Sequence, residues 1–87
     1  MQLMAVSLLR LSDGGCSLEF EPSDIGRVTA ALCTKYGAPA VEWYPTITVC
    51  AFPRASLIFQ NEWDDPCLIA NPSEGIGMLE ALARDLE

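Results

Sequence analysis

The feature that most restricts the fold of this chain is a β-rich block, residues 41–70, that lies between two predicted helices. The block is rich in Val, Ile, Thr and aromatic residues, and Pro45, Pro53 and Pro66 interrupt it. Val, Ile, Thr and aromatic residues favour strands, whereas proline is tolerated mainly at strand edges, ends and bends. The block therefore predicts short antiparallel strands at 41–44, 46–52, 55–60 and 67–70. Pro45 can equally be a bend that joins the first two into one long strand, or can mark an edge strand.

A β-hairpin is predicted ahead of this block. Met1–Leu11 is apolar, Ser12–Gly15 supplies turn residues, and Cys16–Glu21 alternates between apolar and polar residues. Alternation places Cys16, Leu18 and Phe20 on one side of the second strand and Ser17, Glu19 and Glu21 on a wet side. The first strand is apolar on both sides, which predicts that neither of its sides is wet.

Two amphipathic helices flank the block. Pro22-Ser23-Asp24 begins the first, with Ser23 or Asp24 as the cap, and Gly37 ends it. Asn71-Pro72-Ser73-Glu74 begins the second, which combines an Asn cap, a proline at the first helical position and a Glu at the third, and which runs to the C-terminus. Their apolar stripes are Ile25, Val28, Leu32 and Tyr36 in the first helix, and Ile76, Leu79, Leu82, Ala83 and Leu86 in the second.

These elements predict an α+β fold in one domain, residues 1–87. The expected order is β-β-α-β-β-β-α, with an antiparallel sheet of four to six short strands and two helices packed on one face. The first strand and Leu57-Ile58-Phe59 are apolar on both sides. Because monomers rarely expose large apolar patches, part of the sheet is expected to meet a second molecule.

Charge narrows the classes of partner. The chain has 12 Asp and Glu against 5 Lys and Arg, a net charge of −7, and no histidine. Its cations are scattered singly and form no basic patch, so nucleic acid is not an expected partner. The missing imidazole removes the side chain that titrates nearest neutral pH, which argues against most acid–base catalysis. We therefore expect a binding protein rather than an enzyme, with a basic protein as partner.

The densest acidic cluster surrounds a tryptophan. Glu62, Trp63, Asp64 and Asp65 form the candidate partner-binding site, because Trp offers a large contact area and the carboxylates can pair with Lys or Arg. The alternative is a solvated acidic loop whose Trp63 folds back onto the core.

Three further glutamates can extend this candidate partner-binding site. Glu19 and Glu21 are expected on the wet side of the second strand, and Glu42 can join them across the sheet. They extend the acidic and aromatic surface if they flank an exposed Trp43 or Tyr44. Otherwise they keep a sheet face soluble.

No metal site or cofactor is expected. Asn61, Glu62, Asp64 and Asp65 are oxygen ligands, but the alternating ligands, turn glycine and distal glutamate of an EF-hand loop are missing. The four cysteines are evenly spaced, yet no CxxC motif or histidine accompanies them, which predicts no zinc site. They are expected to be free thiols that act as small buried hydrophobic residues in a reducing cytoplasm.

The expected location is the cytoplasm. Met1–Leu11 has its only cation, Arg10, at the wrong end for a secretory signal. No apolar run approaches the length of about 18 residues that spans a bilayer, so no membrane association is expected.

The leading hypothesis is a small acidic cytoplasmic binding protein, of inhibitor, immunity or escort type, that recognises a cationic partner protein. The alternative is a structural or accessory subunit that assembles with itself, as a homodimer for example, and has no catalytic activity. In that case the apolar sheet face or an edge strand forms the contact, and a charge at a sheet-face residue such as Val6 or Phe59 should disturb assembly.

Overall fold

The structure is a computed structural model that describes residues 6–63, 65–70 and 73–86, without the side chains of Glu62 and Ser73. The start of the predicted first strand, Asp64 and the predicted cap Asn71-Pro72 lie outside the described residues. A short 3-10 helix, Pro22–Asp24, leads into the first α-helix. The described residues form, in chain order, β1 (Ser7–Arg10), β2 (Cys16–Glu19), α1 (Ile25–Tyr36), β3 (Ala40–Trp43), β4 (Ile47–Ala51), β5 (Ser56–Glu62), β6 (Asp65–Ala70) and α2 (Ser73–Leu86).

The predicted fold class is confirmed. The strands form one antiparallel sheet in the order β1-β2-β6-β5-β4-β3, and both helices lie on one of its faces. The element order has one strand more than the predicted β-β-α-β-β-β-α, because Pro45 is not a bend within a strand. It lies in a tight turn in which the Tyr44 N–H donates to the Ile47 carbonyl over 2.9 Å. Residues 40–51 therefore form a hairpin, and β3 is an edge strand.

The N-terminal hairpin is confirmed, but its wet side is not. In the turn Gly14 has a φ of 92°, which suits glycine, and the Asp13 carboxylate accepts a hydrogen bond of 2.9 Å from the Gly15 N–H. Cys16 and Leu18 point toward the helices as predicted. On the other face Ser17 is only 4% exposed and Glu19 is half-buried, whereas Glu21, beyond the end of β2, is exposed, so the predicted wet side is wrong at Ser17.

The predicted strands 55–60 and 67–70 are both too short. β5 continues to Glu62 and β6 begins at Asp65, so most of the expected acidic loop is strand. Pro66 lies inside β6, opposite Asn61, and its carbonyl accepts a hydrogen bond of 3.3 Å from the Phe20 N–H. Proline loses only its donor, so it remains compatible with a strand position that uses its carbonyl.

The core is centred under α2, which contacts β1, β2 and β6. Leu18, Leu57, Leu79 and Leu82 have no exposed surface, and the predicted apolar stripe of α2 is confirmed. The helix approaches the sheet closely at Gly75, where an added Cβ would lie 3.0 Å from the Ala70 Cβ.

Helix α1 packs through Val28 and Leu32, which are buried, as its stripe predicts. Asp24 precedes the helix as its cap residue, although its side chain makes no cap hydrogen bond. Gly37 ends the helix with a φ of 84°, and its N–H donates to the Cys33 carbonyl over 2.9 Å.

Candidate functional site

One end of the sheet collects exposed aromatic and acidic residues. Because β4 pairs with β5, the β3–β4 turn and the β5–β6 turn lie side by side at this end. The hydrogen bond from Phe20 to Pro66 brings the chain that leaves β2 to the same end. We call this region the acidic-aromatic end, and its described members are Glu21, Trp43, Tyr44, Trp63 and Asp65.

Trp63 occupies the first position of the two-residue turn between β5 and β6. Its φ is 58°, in the left-handed region, and its side chain is 96% exposed. Two-residue hairpin turns need a positive φ at this position and usually place Gly, Asn or Asp there, because a bulky side chain is strained. The alternative in which Trp63 folds onto the core does not match the structure, so core packing does not explain this residue.

The structure places the other predicted site residues around this turn. Asp65 is exposed and lies opposite Glu62 in the hairpin register. Asp64 and the side chain of Glu62 lie outside the described residues. The backbone thus places Glu62, Trp63 and Asp65 together at the end of one hairpin.

Glu42 and Tyr44 extend this region, whereas Glu19 does not join them. The Tyr44 hydroxyl donates a hydrogen bond of 2.7 Å to the Glu42 carboxylate, and this bond raises the pKa of the tyrosine. Glu19 lies in β2, and β6, β5 and β4 separate it from Glu42 in β3. The expected grouping of Glu19 with Glu42 across the sheet is therefore wrong, because the expected arrangement did not include three intervening strands.

The strand order also separates charge along the sheet. Glu21 and Asp65 lie at the acidic-aromatic end, whereas Arg10 lies in the last position of β1 at the opposite end. Arg54, in the β4–β5 connection, is also at that opposite end. Arg27, in the first turn of α1, is the cation closest in sequence to the acidic-aromatic end.

A second candidate surface is an apolar groove between α1 and the sheet, which the sequence did not predict. It has a volume of about 500 Å³. We call it the α1 groove. Its described lining residues come from α1 (Ile25, Val28, Thr29, Leu32, Cys33), from the segments beside it (Phe20, Ala38, Pro39, Phe52) and from the strands (Val41, Trp43, Thr48, Cys50, Phe59, Leu68).

The α1 groove opens beside an exposed tryptophan and contains two thiols. Trp43 is 80% exposed and Val41 is 42% exposed, although both point toward the helix side. Cys33 and Cys50 are free and half-buried. Burial, and then the neighbouring Cys33, raise the pKa of the Cys50 thiol. The groove is thus uncharged at neutral pH along its described lining.

A smaller polar cavity adjoins the groove at the far end of the sheet. It measures about 460 Å³, and Lys35, Tyr36, Phe52, Pro53 and Arg54 line it. Phe52 lines both cavities and contacts the Tyr36 ring edge-on, with 6.1 Å between the ring centroids. Lys35 also pairs with Asp85 over 2.8 Å. We call this space the cationic cavity.

The other face of the sheet, which we call the open face, carries an apolar row. The register aligns Leu9, Ser17, Ile69, Ile58, Val49 and Glu42 across the six strands, and its apolar members are Leu9 and the contiguous Ile69, Ile58 and Val49. Leu9 is 44% exposed and the other three are half-buried. Val6 and Phe59, the expected positions for a self-contact, instead pack against the core on the helix side. That assignment of sheet face was wrong because strands that are apolar on both sides do not reveal which side the helices cover.

Among the described residues, no group of three His, Cys, Asp or Glu side chains is placed to hold a metal ion. Within the same part of the chain, no helix is long and apolar enough to cross a membrane. No family model matches the chain, and neither a curated protein nor a solved structure is significantly similar to it.

Proposed function

We propose that this chain is a small acidic binding protein of the cytoplasm that recognises a basic protein through its acidic-aromatic end. The proposed type is an inhibitor, immunity or escort protein. The observation that carries the proposal is Trp63, a bulky residue in a left-handed turn position with 96% of its side chain exposed. A strained residue that gains nothing from the core is best explained by a contact with another molecule.

The surroundings of Trp63 support a cationic partner. Exposed Asp65 lies two residues from Trp63, exposed Glu21 lies at the same end of the sheet, and Glu62 and Asp64 flank Trp63 in the sequence. Carboxylates around an aromatic anchor give electrostatic steering, and the Trp ring can itself receive a cation on its face. The net charge of −7 adds a long-range attraction for a basic protein.

Two of the four thiols are poor candidates for a catalytic nucleophile. Burial raises the pKa of both Cys16 and Cys50, so neither forms a ready thiolate nucleophile at neutral pH. The chain also carries no histidine to act as a base for a thiol or hydroxyl.

The proposal can be tested with the immobilised protein and a lysate of its source at low and at moderate salt, with bound proteins identified by mass spectrometry. The key variant is Trp63→Gly, because glycine accepts the left-handed φ and preserves the turn while removing the ring. We expect a basic protein that elutes with salt and whose affinity, measured by calorimetry, falls at least about tenfold in Trp63→Gly.

A matched pair of charge variants tests whether the partner binds at the acidic-aromatic end. Asp65→Asn removes one charge at the acidic-aromatic end, and Asp13→Asn removes one in the turn at the opposite end while keeping the oxygen that accepts the Gly15 bond. Asp65→Asn should weaken binding and Asp13→Asn should leave it nearly unchanged. A partner that binds Trp63→Gly with full affinity would rule out this surface as its site.

A second candidate function is self-assembly as a structural or accessory subunit. The open face favours it, because Ile69, Ile58 and Val49 form an apolar row across three neighbouring strands and Leu9 continues it beyond Ser17. Two copies could bury such a row by packing face to face, and a symmetric dimer is the commonest result.

The test of this candidate uses the open face rather than Val6 or Phe59. We expect Ile58→Lys to shift an assembled protein to monomer in sedimentation velocity, while Asp65→Asn leaves the assembly unchanged. A wild-type protein that stays monomeric at high micromolar concentration would eliminate this candidate and leave the first one standing.

A further inference from the structure

The α1 groove and the cationic cavity together have the layout of a site for an amphiphile. The groove is apolar along its described lining and has a volume of about 500 Å³. The cavity that shares Phe52 with it contains Lys35 and Arg54. Pockets for small ligands have this size and this composition, an apolar space with a few charged groups at one point.

The lining chemistry restricts the bound part of such a ligand to hydrocarbon. The hydroxyl of Thr29 already donates to the Ile25 carbonyl over 2.8 Å, and the thiol of Cys50 is held in its neutral form by burial. A charged group placed beside them would lose its hydration without a charged partner. A protein helix, with a diameter of about 10 Å, would also have to displace α1 to enter the space beneath it.

The positive charge of the cationic cavity determines which head group the ligand can carry. Lys35 uses one hydrogen bond on Asp85, and an ammonium group has three donors, so donors remain for a ligand. Arg54 lies beside it and offers a planar guanidinium that suits a carboxylate. An anionic head is therefore complementary to this cavity even though the chain as a whole is acidic.

We propose that the α1 groove binds the acyl chain of a free fatty acid, whose carboxylate lies in the cationic cavity between Lys35 and Arg54. The groove volume of about 500 Å³ lies within the range of pockets that hold small ligands, so a chain of about ten to twelve carbons fits within it. This site shares only Trp43 with the acidic-aromatic end among the described residues, and it does not require a protein partner.

Chain length gives the first test. Isothermal titration of the protein with the even-numbered fatty acids from octanoate to hexadecanoate, each below its micelle concentration, should show about fourfold tighter binding for each added CH₂ up to dodecanoate and little further gain beyond it. An affinity that does not depend on chain length overturns the proposal. An affinity that rises without a plateau indicates detergent-like binding and also overturns it.

The head group gives the second test. Arg54→Glu should weaken decanoate binding at least tenfold and leave 1-decanol binding unchanged. Arg27→Glu makes the same change of charge in the first turn of α1 and should change decanoate binding less than twofold. Equal effects of the two variants would show that only net charge matters, which contradicts a carboxylate held by Arg54.

The groove itself gives the third test. Cys50 and Val49 are neighbours on β4 that point to opposite faces, so Cys50→Phe should fill the groove and abolish decanoate binding, whereas Val49→Phe should retain it. If Cys50→Phe does not fold, a spin-labelled decanoate on the wild-type protein provides the same information by NMR. Line broadening at Thr29, Val41 and Trp43 is expected, and broadening confined to the open face would overturn the site.

Discussion

Helix α2 packs tightly on β1, β2 and β6, whereas α1 leaves a groove over β3, β4 and β5. One cross-strand row on the helix side makes the contrast plain: Leu18 in β2 is 0% exposed, Leu68 in β6 is 2% exposed, and Trp43 in β3 is 80% exposed. The same face of one sheet thus serves two purposes. The covered half provides the stability of this small fold, and the uncovered half presents apolar surface to other molecules.

The largest expected effect comes from truncating one residue in each half. Leu18→Ala should lower the free energy of unfolding by about 3 kcal/mol, because it leaves a cavity in a closed core. Val41→Ala should lower it by less than about 1 kcal/mol, since 42% of this side chain is already exposed. Urea unfolding of both variants measures the difference. Similar losses would mean that the groove is closed in solution.

A smaller loss in the free energy of unfolding should appear at alkaline pH. Burial raises the pKa of Cys16 in the covered half and of Cys50 in the groove half. The folded state therefore holds these protons more tightly than the unfolded state, so their contribution is complete below the usual thiol pKa of 9.0 and is lost as the pH rises above it.

This loss is at most about 1.4 kcal/mol per thiol for each pH unit. Chemical unfolding between about pH 8 and 10 should show the decline, and Cys16→Ala and Cys50→Ala should each reduce its slope. A slope that neither variant changes would assign the decline to other groups.

The smallest expected effect is a difference in stability between two glycine-to-alanine variants, one in each helix. Gly26 in α1 has open space where a Cβ would lie, so Gly26→Ala should raise the free energy of unfolding by about 0.5 to 1 kcal/mol through helix propensity. At Gly75 in α2 the Cβ would lie 3.0 Å from Ala70, so Gly75→Ala should bring no such gain. Thermal unfolding of the two variants measures the change in stability at each position. An equal gain at both positions would contradict the close packing of α2.

Periodicity and turn chemistry are sufficient to predict much of this fold. The stripes of α1 and α2, the stop at Gly37 and the turn at Asp13-Gly14-Gly15 depend on residues close in sequence, so local physics determines them. Proline was less informative: Pro45 lies in a turn and Pro66 lies within a strand, because the effect of a missing N–H depends on whether the neighbouring strand needs that donor.

The candidate sites were only partly predictable. The sequence identified the segment around Trp63, since charge and aromatic content are visible without a structure. Its two-residue turn and left-handed φ depend on the pairing of β5 with β6, which the sequence does not specify. The α1 groove was missed because it arises from the distance between α1 and the sheet. Its one sequence signal was the alternation of Val41 with Trp43 opposite Cys50 and Thr48 in an edge hairpin.

The strand order also determines when the sheet can be completed during synthesis. β1 and β2 are made first, but the neighbour of β2 is β6, which emerges only after the hairpins of β3, β4 and β5. The early hairpin must therefore wait for residues 65–70 before it joins the rest, and a two-stranded hairpin is marginal by itself. Pairing across such a long stretch of chain is slow to form, so we expect the contact between β2 and β6 to form late. A ribosome-bound fragment that ends before Asp65 would hold two unconnected parts of a sheet, each with an exposed edge.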